Sequence, residues 1–98
     1  MTITRINPEY QPKGSYLPYT DYGQTKKNLN DLTANGVYSV YNPTNAPWAN
    51  QWLIVLVLRF NSSGNYVLQV AFPIDKNMAY KRRSSGGTFG AWTSVAFS

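Results

Sequence analysis

Neither cysteine nor histidine occurs in this chain of 98 residues. The first absence removes disulfides and thiolate metal sites. The second removes the commonest general base and the commonest zinc ligand. Carboxylates are scarce as well: Glu9, Asp21, Asp31 and Asp75 are the whole supply. They are scattered, and three of them stand beside Pro, Tyr or Leu. Acid/base hydrolysis needs two carboxyl groups converging in one cleft, and an all-oxygen calcium site needs several close together. The spacing offers neither, so no enzyme activity, no cofactor and no metal are expected. Long apolar runs are missing too. No stretch reaches the roughly 18–20 residues of a membrane-spanning helix, and the first ten residues lack the basic and apolar regions of a secretory leader. No membrane insertion is expected, and the absence of cysteine is compatible with a protein made in a cytoplasm and released by lysis.

Aromatic residues make up 15% of the chain and charged residues only 13%. Disordered chains show the reverse balance, so a folded, aromatic-rich domain is expected. Its sparsely charged surface suits carbohydrate or protein contact. The net charge of +5 favours polyanions in general. The basic residues are not interleaved with aromatics in a long stripe, however, and nucleic acid is not the expected partner. A domain this small is marginally stable alone. With disulfides and metals excluded, partner chains are the expected support.

The chain divides near residue 27. Residues 2–24 hold Pro8, Pro12 and Pro18, Gly14 and Gly23, and Tyr10, Tyr16, Tyr19 and Tyr22. Proline so spaced blocks helix and central strand. Residues 1–27 therefore read as an extended arm, either lying on another surface through its tyrosines or serving as a flexible linker. Residues 28–98 read as the β-rich domain proper. The one plausible helix covers residues 26–33, with Thr25 or Asn28 as cap and Leu29 and Leu32 on one face, ended by Asn35-Gly36. Strands are expected over residues 36–41, 51–60, 65–72, 78–83 and 88–95, with turns at Asn61-Ser62-Ser63-Gly64 and Ser84-Ser85-Gly86-Gly87. The predicted fold class is mainly β: a small, mostly antiparallel sheet of about five strands after one short N-terminal helix.

The segment Trp52-Leu53-Ile54-Val55-Leu56-Val57-Leu58 has no polar alternation. A strand with one wet face alternates, so this one calls for cover on both faces. A short helix and an arm supply little. An identical neighbour supplies the rest in one reading; the helix and strand curvature do so in the other.

Residues 28–98 resemble the pyocin-knob type of domain of phage tail-fibre proteins. The segments that carry the resemblance are Asn28-Leu29-Asn30-Asp31-Leu32-Thr33, Gly36-Val37-Tyr38-Ser39-Val40 and Asn42-Pro43-Thr44-Asn45-Ala46-Pro47. They continue with the apolar strand and Arg59, Gly64-Asn65-Tyr66-Val67-Leu68-Gln69, Tyr80-Lys81-Arg82 and Gly90-Ala91-Trp92-Thr93. Each is weak alone; the specificity lies in their order and spacing. This chain departs from the pattern at Trp48-Ala49-Asn50-Gln51-Trp52, where glycine is usual, and at Phe89, where tryptophan is more usual. The resemblance implies a compact knob near the distal end of a homotrimeric fibre. It would be part of a virion tail fibre or a phage-derived bacteriocin, made in the host cytoplasm and acting outside the cell. It also implies contact with a bacterial surface polysaccharide, lipopolysaccharide or teichoic acid, and with other tail proteins.

Candidate binding residues follow from the chemistry of such ligands. Trp48, in a loop with Asn45 and Asn50, offers a flat apolar face beside amides that read hydroxyl groups; alternatively it folds back on the core or lies between subunits. Trp52 and Trp92 read as packing residues. Tyr41 belongs to a set of strand tyrosines of which those on a wet face are contact candidates. Lys81, Arg82 and Arg83 form the one basic cluster, with Lys81 and Arg83 on one face of the strand and Arg82 on the other. They suit phosphate recognition, or else protect an edge strand. The alternative function is a structural module that trimerises the fibre or docks a tail or baseplate protein.

Overall fold

A computed structural model describes residues 17–60 and 65–96. Its seven strands are β1 (Tyr19–Gly23), β2 (Gly36–Tyr41), β3 (Trp52–Arg59), β4 (Val67–Pro73), β5 (Met78–Ser85), β6 (Thr88–Phe89) and β7 (Thr93–Ala96). They form one open sheet in the order β1-β2-β3-β4-β5-β6, with β7 also paired to β5. All pairings from β2 onward are antiparallel, and β1 pairs with β2 in parallel.

The mainly β expectation holds, and three of its details change. The sheet has seven strands because the end of the arm, Tyr19–Gly23, joins it as an edge, and because the strand expected over residues 88–95 is broken in two. The sheet is mixed, since β1 runs parallel to β2. Among the described residues there is no α-helix. The segment expected to be helical makes only a 3-10 turn, Leu29–Asp31. The reason is local: Asn28, Asn30, Asp31 and Thr33 are poor helix formers that bond to nearby backbone instead. Here the Asn28 side chain accepts from the Asn30 amide at 2.9 Å, the short contact of an Asx turn. The first part of the arm, residues 1–16, lies outside the described residues.

The two faces of the sheet differ. The inner face carries Tyr38, Val40, Leu53, Val55, Val57, Val67 and Ala71, all buried. Leu29 and Leu32 from the 3-10 turn close over them, with Tyr22, Ala46, Trp48, Phe89 and Trp92 packed around the cluster. The outer face of β3 and β4 is just as apolar and is open. Ile54 and Leu58 are each 40% exposed and Leu68 is 38% exposed. The unbroken apolar run of β3 thus serves two surfaces, one filled by this chain and one that its described residues leave uncovered.

Loop positions are fixed by backbone chemistry. Asn42, Asn45 and Asn50 all have φ between 51° and 57°, the left-handed region that asparagine tolerates better than most side chains. Asn42 then closes its loop twice: its amide donates to the Gln51 carbonyl and its side chain accepts from the Asn50 amide.

Candidate functional site

The 3-10 turn and the loop after β2 are stitched together. The Leu29 amide donates to the Thr44 carbonyl, the Thr44 amide donates to the Lys27 carbonyl, and Asn45 Nδ2 donates to Asn28 Oδ1 at 2.8 Å. This brings Asn30 and Asn45 to the rim of the inner face.

Beneath them lies a buried polar chain. Gln69 stands in β4 with no exposed surface. Its Nε2 donates to the Leu29 carbonyl at 2.7 Å and to the Leu32 carbonyl at 2.8 Å. Its Oε1 accepts from Arg82 Nε at 2.9 Å. One amide therefore ties the turn to β4 and β5 and uses both of its ends.

Arg82 is 8% exposed. Its guanidinium carbon lies 4.0 Å from the centre of the Phe89 ring and 4.5 Å from that of Trp92, close enough for cation–π attraction. Trp92 is itself fixed by a bond from Nε1 to the Asn45 carbonyl at 2.9 Å. No carboxylate pairs with the guanidinium among the described residues, and its Nη2 is buried without a hydrogen-bond partner. Loss of hydration lowers its pKa from the usual arginine range to about 10, so it remains cationic at neutral pH. An unsatisfied buried donor of this kind costs about 1–3 kcal/mol, and more when charged.

The break between β6 and β7 makes this arrangement possible. Both strands pair with β5, β6 at Ser84 and Ser85 and β7 from Met78 to Lys81. The Gly90 amide donates to the Arg83 carbonyl at 2.9 Å. The intervening detour at Gly90-Ala91-Trp92 carries the indole over Arg82 instead of continuing the ladder. A polar cleft of about 500 Å³ opens alongside, lined by Asn30, Asn45, Arg82, Thr88 and Phe89 with the backbone of Gly87 and Gly90. No group of three or more acidic residues able to hold a metal ion occurs among the described residues.

The residues singled out from sequence fall in separate places. Asn45 and Arg82 share the cleft. Lys81 and Arg83 are exposed on the outer face, opposite Arg82, as strand alternation requires. The Arg82 side chain is thus buried where its two neighbours are exposed, although all three residues line a cavity of about 260 Å³ together with Leu68, Gly90, Ala91 and Thr93. Tyr41 also faces outward, its ring 5.3 Å from that of Trp52. Asn50 is exposed at the loop that Asn42 closes. Trp48 is no free-standing platform. It is partly buried against the core, edge-on to Tyr80 with ring centres 4.1 Å apart. Ser84, expected in a turn, lies in β5 and is buried; its hydroxyl accepts from the Val67 amide and donates to the Asn65 carbonyl.

Sequence reasoning about binding residues left out Gln69, Asn30, Thr88 and Phe89. Only Gln69 had a signal: a lone amide in the otherwise apolar run Val67-Leu68-Gln69-Val70-Ala71.

No family model, no curated protein and no solved structure matches this chain.

Proposed function

We propose that this chain is a non-catalytic receptor-binding module from the tip of a phage tail fibre or phage-derived bacteriocin, attaching as a homotrimer to a bacterial surface glycan or glycopolymer. The observation that carries the reading is the meeting of segments that are far apart in sequence and that together make up the resemblance to the pyocin-knob type. Asn28 and Leu29, Asn45, Gln69, Arg82 and Trp92 form one hydrogen-bonded and stacked unit. The amide-lined cleft beside this unit suits sugar hydroxyls. Weak contacts at identical sites are multiplied when a fibre end presents several copies.

The open outer face supports a role for identical neighbours. Across it, Asp21 sits on the β1 edge and Lys81 and Arg83 on the β5 strand near the other edge, so opposite charges occupy opposite sides of an apolar strip. A head-to-tail contact, in which one edge meets the other edge of the next copy, brings these charges together. Contacts of that kind close into a ring when the rotation from one copy to the next closes, and run on as a filament when it does not. The same face favours a second reading, a structural module that trimerises the fibre or docks another tail or baseplate protein.

The two readings separate in one experiment. Fluorescently labelled protein, with its mass measured by light scattering, is added to host-type cells. Saturable staining that purified surface polysaccharide, lipopolysaccharide or teichoic acid competes away is the expected result. A clean oligomer that ignores cells and glycans alike removes the receptor-binding reading and leaves the structural one.

A further inference from the structure

The buried guanidinium of Arg82 is held by two rings and an amide. Phe89 and Trp92 lie against it, and Gln69 takes Nε. What remains is Nη2, which is buried and has no hydrogen-bond partner. Arg82 is also part of the lining of the polar cleft, alongside Asn30, Asn45 and Thr88. An arginine edge matches two oxygens of a carboxylate or a phosphate in one plane. Neighbouring amides and a hydroxyl match the hydroxyl groups of a sugar ring.

We infer that the cleft beside Arg82 is a subsite for an oxyanion borne on a sugar, the anion meeting the Nη edge of Arg82 and the ring lying against Asn30, Asn45 and Thr88. This rests on the receptor-binding reading and narrows it: the glycan is acidic. The carboxylate of a uronic acid and the phosphate of a phosphorylated sugar share the required chemistry. Phe89, on the two-residue strand β6 between Gly87 and Gly90, is the side chain that shifts to admit the anion. Because the guanidinium stays charged at neutral pH with its pKa at about 10, the subsite is cationic under ordinary conditions. Lys81 and Arg83 project from the opposite face and take no part.

The test uses the full chain, labelled with ¹⁵N, titrated separately with methyl glucuronide, glucose 6-phosphate, methyl glucoside and a short single-stranded oligonucleotide. The Arg82 Nε–H, buried and bonded to Gln69, is the reporter. The expected result is that one or both acidic sugars shift this signal and the neutral glucoside does not; the two acidic arms say which anion is taken. Asn30→Asp places a negative charge on the exposed rim and should weaken acidic-sugar binding by about tenfold or more. Arg82→Lys, which keeps the charge without the fork, should weaken it as well. If Arg82→Lys fails to fold, Asn30→Asp carries the test, because its side chain is exposed and not part of the buried chain of bonds. Equal binding of the neutral glucoside, or a shift of the Arg82 signal by the oligonucleotide alone, overturns the inference. Staining of cells while no acidic sugar moves the Arg82 signal also overturns it and leaves the receptor-binding reading standing. Acidic sugar at Arg82 with no staining of cells does the opposite.

Discussion

Gln69 shows how much one side chain settles. Replacing it with leucine leaves the Leu32 carbonyl and Arg82 Nε without the partner Gln69 gives them and reduces the Leu29 carbonyl to its bond from the Leu32 amide. The expected loss is about 3 kcal/mol, read from urea unfolding. Gln69→Glu is a sharper test. It gives Arg82 a carboxylate, yet it sets that carboxylate against two carbonyls that lie 2.7 and 2.8 Å from the present amide. Destabilisation comparable to Gln69→Leu is expected; stabilisation would mean that the cation's lack of a counter-charge outweighs the donors to the turn. Tyr38 makes a separate prediction. Its hydroxyl donates to the Ala34 carbonyl at 2.8 Å, and burial, then the neighbouring Tyr22, push its pKa above the usual 10.0. The folded state thus holds this proton more tightly than the unfolded state. Its contribution is fully present below pH 10 and is lost as pH rises through the folded value. Ultraviolet phenolate titration should show one late-titrating tyrosine, absent in Tyr38→Phe, whose stability should also fall less steeply in alkali. At this scale the sequence was only partly informative. Strand alternation separated Arg82 from Lys81 and Arg83 correctly. It carried no information on which tryptophan would be covered, because that depends on Tyr80, a residue 32 positions from Trp48 that meets it only after the sheet forms.

Among the elements, β2 to β5 were readable because each is a run of β-branched and aromatic residues bounded by Asn, Gly or Pro. The helix was misread because two leucines three apart fit a helical face, while in fact both drop into the core from a single 3-10 turn whose carbonyls are taken by Gln69. That partner lies in β4 and leaves no mark on the local pattern. The same holds for the broken last strand: its reason is Trp92 reaching Asn45, a contact across the fold. The pairing of β1 with β2 gives a prediction of its own. A Cβ placed on Gly36 comes within 3.0 Å of the Pro18 carbonyl oxygen and 3.2 Å of the Tyr38 ring, and the same carbonyl accepts from the Val37 amide at 2.8 Å. Gly36→Ala should therefore push β1 away and cost about 1–3 kcal/mol. Hydrogen exchange should accelerate at Val37 before it does at the central strands.

For the molecule as a whole, the distribution of apolar surface matters most. The run from Trp52 to Leu58 signalled correctly that both faces of β3 are apolar, and the described residues leave the outer one open. Leu58→Glu should leave the inner core intact and lower the mass seen by light scattering to that of a single chain. Asp21→Lys should weaken association, and the added change Lys81→Glu should restore it in part, if edges of opposite charge meet. Finally, the parallel edge strand sets where the chain enters and leaves. Tyr19 lies level with Val37, at the end of the sheet where β3 finishes, whereas Ala96 lies level with Met78, at the end where β3 starts. Tension between Leu17 and Ala96 therefore runs along the strands and across their hydrogen bonds, which must slide past one another together instead of opening in turn like a zip. Such a sheet is built to stay whole when its two ends are pulled apart.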